Sequence, residues 1–151
     1  MSVITVIKNI KQIHKEDIVF VKLGKFYYCY GKDAYIISYL FKYKLSLVEN
    51  RVYSCGFPSQ SLNKVLAMLE NRKINYVIID RRNNYQVEEK ENYKNLNSYD
   101  KYYEMAKKEI GAKIRIQKIS DYLLENTNKS NIRILLAEIE KMLKEYKFEK
   151  G

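Results

Sequence analysis

Four aromatic rings and two lysines lie within eight residues, in the run Lys25-Phe26-Tyr27-Tyr28-Cys29-Tyr30-Gly31-Lys32. Rings mixed with ammonium groups suit one chemistry well: stacking on nucleobases and holding phosphates. Stacking is worth about 1–3 kcal/mol per base and tolerates any base, because each has a π-face. Lysines add an affinity for phosphodiesters that falls steeply with salt. If the run is an extended strand, Phe26, Tyr28 and Tyr30 share one face and Tyr27 and Cys29 the other. One face must then carry a row of aromatics, flanked by Lys25 and Lys32, with Lys22 just upstream. Phe26, Tyr28, Tyr30, Lys22, Lys25 and Lys32 are therefore the candidate nucleic-acid-binding residues. The alternative is that Phe26 belongs to the core.

Other chemistries find less support. Asp80 ends an apolar run, and Glu88 and Lys90 follow as Glu-x-Lys. Many nucleases use that order to hold magnesium and position a water, but Glu-x-Lys recurs by chance in a chain this rich in both. His14 has no partners for a triad and reads as a helix-surface residue. No Gly-x-x-x-x-Gly-Lys-[Ser/Thr] loop is present. Two cysteines and one histidine cannot build a common structural zinc site. Cys29 and Cys55 sit in apolar stretches and read as reduced, buried thiols, which implies a cytoplasmic protein. No catalytic residue, metal or cofactor is assigned, and the expectation is a non-enzyme.

The elements that must position the aromatic run can be read from periodicity. Val3, Ile4, Val6, Ile7, Ile10 and Ile13 favour a short amphipathic helix, with a strand open for residues 3–7. Ile18 to Leu23 reads as a buried strand, and Phe26 to Tyr30 as its antiparallel partner across Gly24. Asp33 is expected to cap a helix running to about Tyr43. Arg51 to Cys55 reads as a strand broken by Gly56-Phe57-Pro58. Ser59 or Ser61 is expected to cap a helix through Leu69 and Glu70. Tyr76 to Asp80 is another apolar strand. Residues 83–97 read as a loop or an irregular edge hairpin.

Two blocks in this order resemble the amino-terminal, mismatch-reading domain (domain I) of the MutS mismatch-repair family. The family's Gly-Asp-Phe-Tyr-Glu, followed by Asp-Ala at a helix start, is matched here by Gly24-Lys25-Phe26-Tyr27-Tyr28 and Asp33-Ala34. Its Gly-x-Pro turn, Leu-Ala-x-Leu helix and apolar strand are matched by Gly56-Phe57-Pro58, Leu66-Ala67-Met68-Leu69 and Val77-Ile78-Ile79-Asp80. The resemblance covers roughly residues 15–82. It implies that Phe26 stands where the family's ring stacks on an unpaired base and wedges into the minor groove, at the cost of unstacking the duplex. Tyr28 replaces the family's glutamate, exchanging an acceptor for a displaced base for a second stacking surface. That exchange suits single strands or structured RNA at least as well as mismatched duplex.

From Ser98 the character changes to three apolar runs of helical period. Asn126-Thr127-Asn128 is the turn before the last run, and Ser130 its expected cap. The reading is a small mixed α/β module over residues 1–97, then a helical hairpin or tail over 98–151. The intact mismatch-repair protein's ATPase, lever and clamp have no counterpart in these residues.

The formal net charge is +10, and the excess is uneven. Residues 1–83 hold 14 basic and 6 acidic side chains, residues 84–151 hold 14 and 12. A basic excess attracts polyanions, although Lys-, Asn- and Tyr-rich composition also follows from an A+T-biased genome. The expected partner is nucleic acid, DNA or RNA, bound with low specificity. Through the resemblance, a larger protein such as a reverse transcriptase of a retroelement is a second expected partner. The C-terminal helices could form a homodimer. A pure protein-interaction module and a weak metal-dependent nuclease are the alternatives. No apolar run approaches the roughly 20 residues that cross a bilayer, and residues 1–9 lack a secretory signal's apolar core.

Overall fold

The computed structural model describes residues 2–95 and 97–149. Six strands form one mixed sheet: β1 (Ile18–Leu23), β2 (Phe26–Tyr30), β3 (Leu45–Val48), β4 (Val52–Pro58), β5 (Tyr76–Asp80) and β6 (Gln86–Glu91). Five helices accompany them: α1 (Val3–Ile13), α2 (Lys32–Phe41), α3 (Leu62–Arg72), α4 (Ser98–Glu125) and α5 (Ile132–Glu145). The spatial order is β3-β4-β2-β1-β5-β6. Only β1 and β5 run parallel; the other neighbours are antiparallel. No helix among the described residues is long and apolar enough to cross a membrane.

The central strands bury both faces, so they read as unbroken apolar runs. On one face Ile18, Phe20, Tyr27, Cys29, Phe57 and Ile78 pack with Ile36 and Ile37 of α2, Val65 and Leu69 of α3, and Tyr99 and Tyr102 of α4. Phe20 meets Phe57 edge-on with ring centroids 5.6 Å apart, and Tyr27 stacks on Phe57 at 5.9 Å. The other face packs Val19, Val21, Val77 and Ile79 against Ile7 of α1. The chain divides into two compact units, Met1–Gly111 and Ala112–Gly151. The sheet belongs to the first, while α4 begins in the first and ends in the second. In the second unit, residues 126–131 form the turn before α5, and no residue of α5 is buried.

Several local expectations need correction. Asp33 does not cap α2. Gly31 holds the cap position at φ 61°, ψ −130°, a conformation that suits glycine, and no side chain caps the helix. The Asp33 carboxylate instead turns inward. It accepts bonds from the Val19 backbone N–H at 3.0 Å, from Lys11 Nζ at 2.9 Å and from the Tyr99 hydroxyl. One buried carboxylate thereby ties α1, β1, α2 and α4 together. Burial raises its pKa, and Lys11 is the main opposing influence. Helix α2 ends at Phe41 rather than near Tyr43, with Lys42 left-handed at φ 60°.

Gly56-Phe57-Pro58 does not break β4 either. Tyr27 pairs with Phe57 and Phe26 with Pro58, where proline is tolerated because the strand ends. Neither Ser59 nor Ser61 makes a side-chain cap; both lie in a 3-10 turn that leads into α3. Asn131, not Ser130, precedes α5, again without a side-chain cap bond. The first two apolar runs beyond Ser98 are one continuous helix, α4, passing through Gly111.

Candidate nucleic-acid interface

The β1–β2 hairpin turns in two residues. Gly24 takes φ 66° and Lys25 stays at negative φ, as a II′ turn with glycine in its first central position requires. The Lys25 carbonyl accepts the Ser59 N–H at 2.9 Å, which fastens the turn to the entry of α3. Phe26 follows and is 43% exposed, among the more open large apolar side chains of the sheet. Its ring lies 6.1 Å from that of Tyr28, tilted by 32°. Tyr28 keeps its place because Gly56 faces it across β4. A Cβ at Gly56 would fall 2.5 Å from Tyr28 Cε1.

Parallel pairing of β1 with β5 brings two carboxyl ends to the same edge, and Lys22 pairs with Asp80. Arg81 and Arg82, both exposed, follow there directly. Asp80 itself is buried, and its carboxylate accepts the Arg82 backbone N–H at 2.8 Å. Lys22 lies over the Tyr27 ring at 6.0 Å, on the opposite face from Phe26. Lys25 precedes the exposed ring in the turn, Lys22 lies on the other face, and Arg81 and Arg82 follow β5 on the far side of β1, where Arg81 also acts on the Tyr30 phenol and Arg82 Nε lies 4.0 Å from Asp80. Tyr27, beneath Lys22, has its pKa raised by burial and by Glu88, Asp80 and Glu89.

The six candidate residues are divided by the fold. Lys22, Lys25 and Phe26 share the hairpin end. Tyr28 is half-buried in mid-strand, and Tyr30 and Lys32 lie at the far end of β2. Tyr30 is half-buried against the α1 side, and burial pushes its phenol up to about 12. Lys32 lies over the Tyr103 ring at 4.9 Å. Arg81 and Arg82 join the hairpin end only through the β1–β5 pairing, so their spacing along the chain gives no sign of it. Lys11 is held by Asp33, and Lys42 pairs with Glu109 at 3.2 Å.

The acidic constellation has other duties. Ile78 pairs with Glu89 and Ile79 with Val87, so Glu88 sits in a bulge. Tyr76 donates its hydroxyl to Glu89 at 3.3 Å. Among the described residues no three His, Cys, Asp or Glu side chains are placed to hold a metal ion.

A family model described as MutS domain I matches residues 2–110, which is most of the chain. A search of curated proteins found none that matches.

Proposed function

The chain belongs to the MutS domain I family, and on that premise we propose that it is a non-catalytic nucleic-acid-binding accessory protein that uses the hairpin end of its sheet. One observation carries the reading. Phe26 stands exposed directly after a fastened two-residue turn, backed by Tyr28, with Lys25 next to it in the chain and Lys22, Arg81 and Arg82 at the ends of the neighbouring strands. The ring supplies a stacking platform and the cations supply phosphate contacts. Tyr28 offers no carboxylate to a displaced base, which favours low specificity and single-stranded or distorted ligands over strict mismatch reading.

The test is fluorescence anisotropy with single-stranded DNA, single-stranded RNA, matched duplex and mismatched duplex at two salt concentrations. Phe26→Ala is expected to weaken binding by about 1–3 kcal/mol. Lys25→Gln is expected to flatten the salt dependence by about 0.7 in the log–log slope for a single strand. Binding unchanged by both substitutions would reject the hairpin end as the interface.

A second reading, docking or dimerisation through residues 98–151, is favoured by the exposed Ile134, Leu135, Leu136, Met142 and Leu143 of α5. Light scattering of the full chain, with and without residues 130–151, separates a dimer from a monomer.

A further inference from the structure

At the far end of β2 from the hairpin, a cavity of about 470 Å³ opens between α1, the start of α2 and the start of β4. That volume lies within the roughly 300–1,000 Å³ of pockets that hold small ligands. Its rim carries Lys8, Lys11, Lys15 and Lys32. Lys11 is already committed: its Nζ contacts Asp33 Oδ1 at 2.9 Å, the Asp17 carbonyl at 2.6 Å and the Lys15 carbonyl at 3.3 Å. Asp33 therefore neutralises Lys11 and leaves Lys8 and Lys15 on the lining, with Lys32 also there although its ammonium rests over the Tyr103 ring at 4.9 Å and must swing from it to reach a ligand. None of Lys8, Lys15 and Lys32 forms a salt bridge among the described residues. The three come from a helix, a loop and a second helix, so they converge on the opening from separate elements. The wall is of a different kind: Ile4, Ile7 and Val52 are apolar, and Tyr30 joins them in the lining.

We propose that this cavity is a nucleotide pocket, with a phosphate monoester on Lys8, Lys15 and Lys32 and the attached base against Tyr30 and the apolar wall. A monoester carries more charge than an internal phosphodiester, so three convergent ammonium groups favour a strand end or a free nucleotide over mid-strand backbone. The apolar wall gives the base a place that inorganic phosphate cannot use. Tyr30 alternates along β2 with the buried Tyr27 and Cys29, on the same face as Phe26 and Tyr28. From Phe26 to Tyr30 this row spans four residue steps, about 13 Å at the usual rise of an extended strand. One strand could therefore reach from the hairpin to the pocket, but the pocket does not need the hairpin in order to bind a free nucleotide.

The experiment titrates the full chain by calorimetry with dAMP, deoxyadenosine and inorganic phosphate. It then titrates a hexadeoxyadenylate carrying either a 5′-phosphate or a 5′-hydroxyl. Expected is dAMP binding about tenfold or more tighter than that of either fragment. Lys8→Glu with Lys15→Glu should remove that margin, and Lys32→Gln should reduce it from an independent element. Lys64→Gln, on the exposed side of α3, should leave it unchanged. Tighter binding of the 5′-phosphorylated strand assigns the ligand to a strand end, and equal binding of both strands assigns it to free nucleotide. Deoxyadenosine bound as tightly as dAMP, or dAMP binding untouched by the lysine substitutions, overturns the pocket. Loss of 5′-hydroxyl strand binding in Phe26→Ala alone, with no dAMP binding, would keep the hairpin interface and reject only the pocket.

Discussion

Phe26 and Tyr27 are consecutive aromatic residues of the same strand, yet Phe26 is 43% exposed and Tyr27 only 7%. The difference is parity. Tyr27 and Cys29 face α2, α3 and the start of α4, and lie among Phe20, Phe57 and Ile78. Phe26, Tyr28 and Tyr30 face the α1 side. There a single short helix covers the centre of the sheet and leaves the end of β2 open. Similar chemistry on two faces thus lies wholly in the core on one, while on the other Tyr28 and Tyr30 are half-buried against the second cluster and Phe26 stands open. Aromatic content alone does not distinguish an open ring from a buried one; the helices that cover each face do.

The two rows should respond differently to substitution. The largest effect is expected in the inner row. Phe57→Ala removes the ring that both Phe20 and Tyr27 pack against, and denaturant unfolding should show a loss of about 3–5 kcal/mol. A loss below about 1 kcal/mol would mean that the inner row is not the core this comparison requires. Gly56→Ala comes next, because its new methyl would overlap the Tyr28 ring. Overpacking of this kind costs about 1–3 kcal/mol. It should also disturb the Phe26–Tyr28 pair, so nucleic-acid affinity and stability should fall together. In Phe26→Ala the two should separate, with stability held within about 0.5 kcal/mol while binding weakens. A stability loss comparable to that of Phe57→Ala would show that the outer row is also structural.

The smallest effect concerns protons. Tyr30 is held neutral by burial, with its pKa raised from the ordinary value of about 10 to about 12. A raised folded-state value means the contribution to stability is complete below about pH 10 and is lost as pH rises through about 12. Burial also raises Tyr27, Tyr35, Tyr76, Tyr93 and Tyr99, so the late phenolate absorbance is shared, and Tyr30→Phe should remove one phenolate from it near pH 12. A Tyr30 that ionises with the exposed tyrosines would place it in open solvent and weaken the distinction between the ends of the ladder.

Much of this was legible in the chain. Ile18–Leu23, Phe26–Tyr30 and Tyr76–Asp80 announce themselves as strands because each buries apolar groups densely, and the alternation along β2 follows from the strand period. Leu45–Val48 left no comparable signal, since four residues at a sheet edge with a half-buried pattern look like loop. Gln86–Glu91 is wholly exposed and is held by backbone pairing to β5, so hydrophobic periodicity says nothing of it. Gly56 and Pro58 looked like breakers because their roles depend on partners in β2 distant in sequence. Asp33 looked like a cap because its three donors come from α1, β1 and α4. The proposed site was legible to the same extent: its ring and nearest lysine are local to the hairpin, whereas the β1–β5 pairing that brings Arg81 and Arg82 to that end of the sheet is encoded by no spacing.

The charged outer strand β6 has a consequence for how copies of this chain behave at high concentration. A sheet edge offers unpaired backbone donors and acceptors to any passing strand, and a flat apolar edge invites stacking into fibres. Here one edge is β6, bulged opposite β5 and carrying Glu88, Glu89, Lys90 and Glu91, and the other is β3, only four residues long. A bulge spoils the register an incoming strand would need, and the carboxylates repel a second copy of themselves. A chain with so many aromatic and β-branched residues is in this way kept from adding its own sheet to its neighbour's, and the protein should stay dispersed under crowding that would precipitate a plain-edged sheet of the same composition.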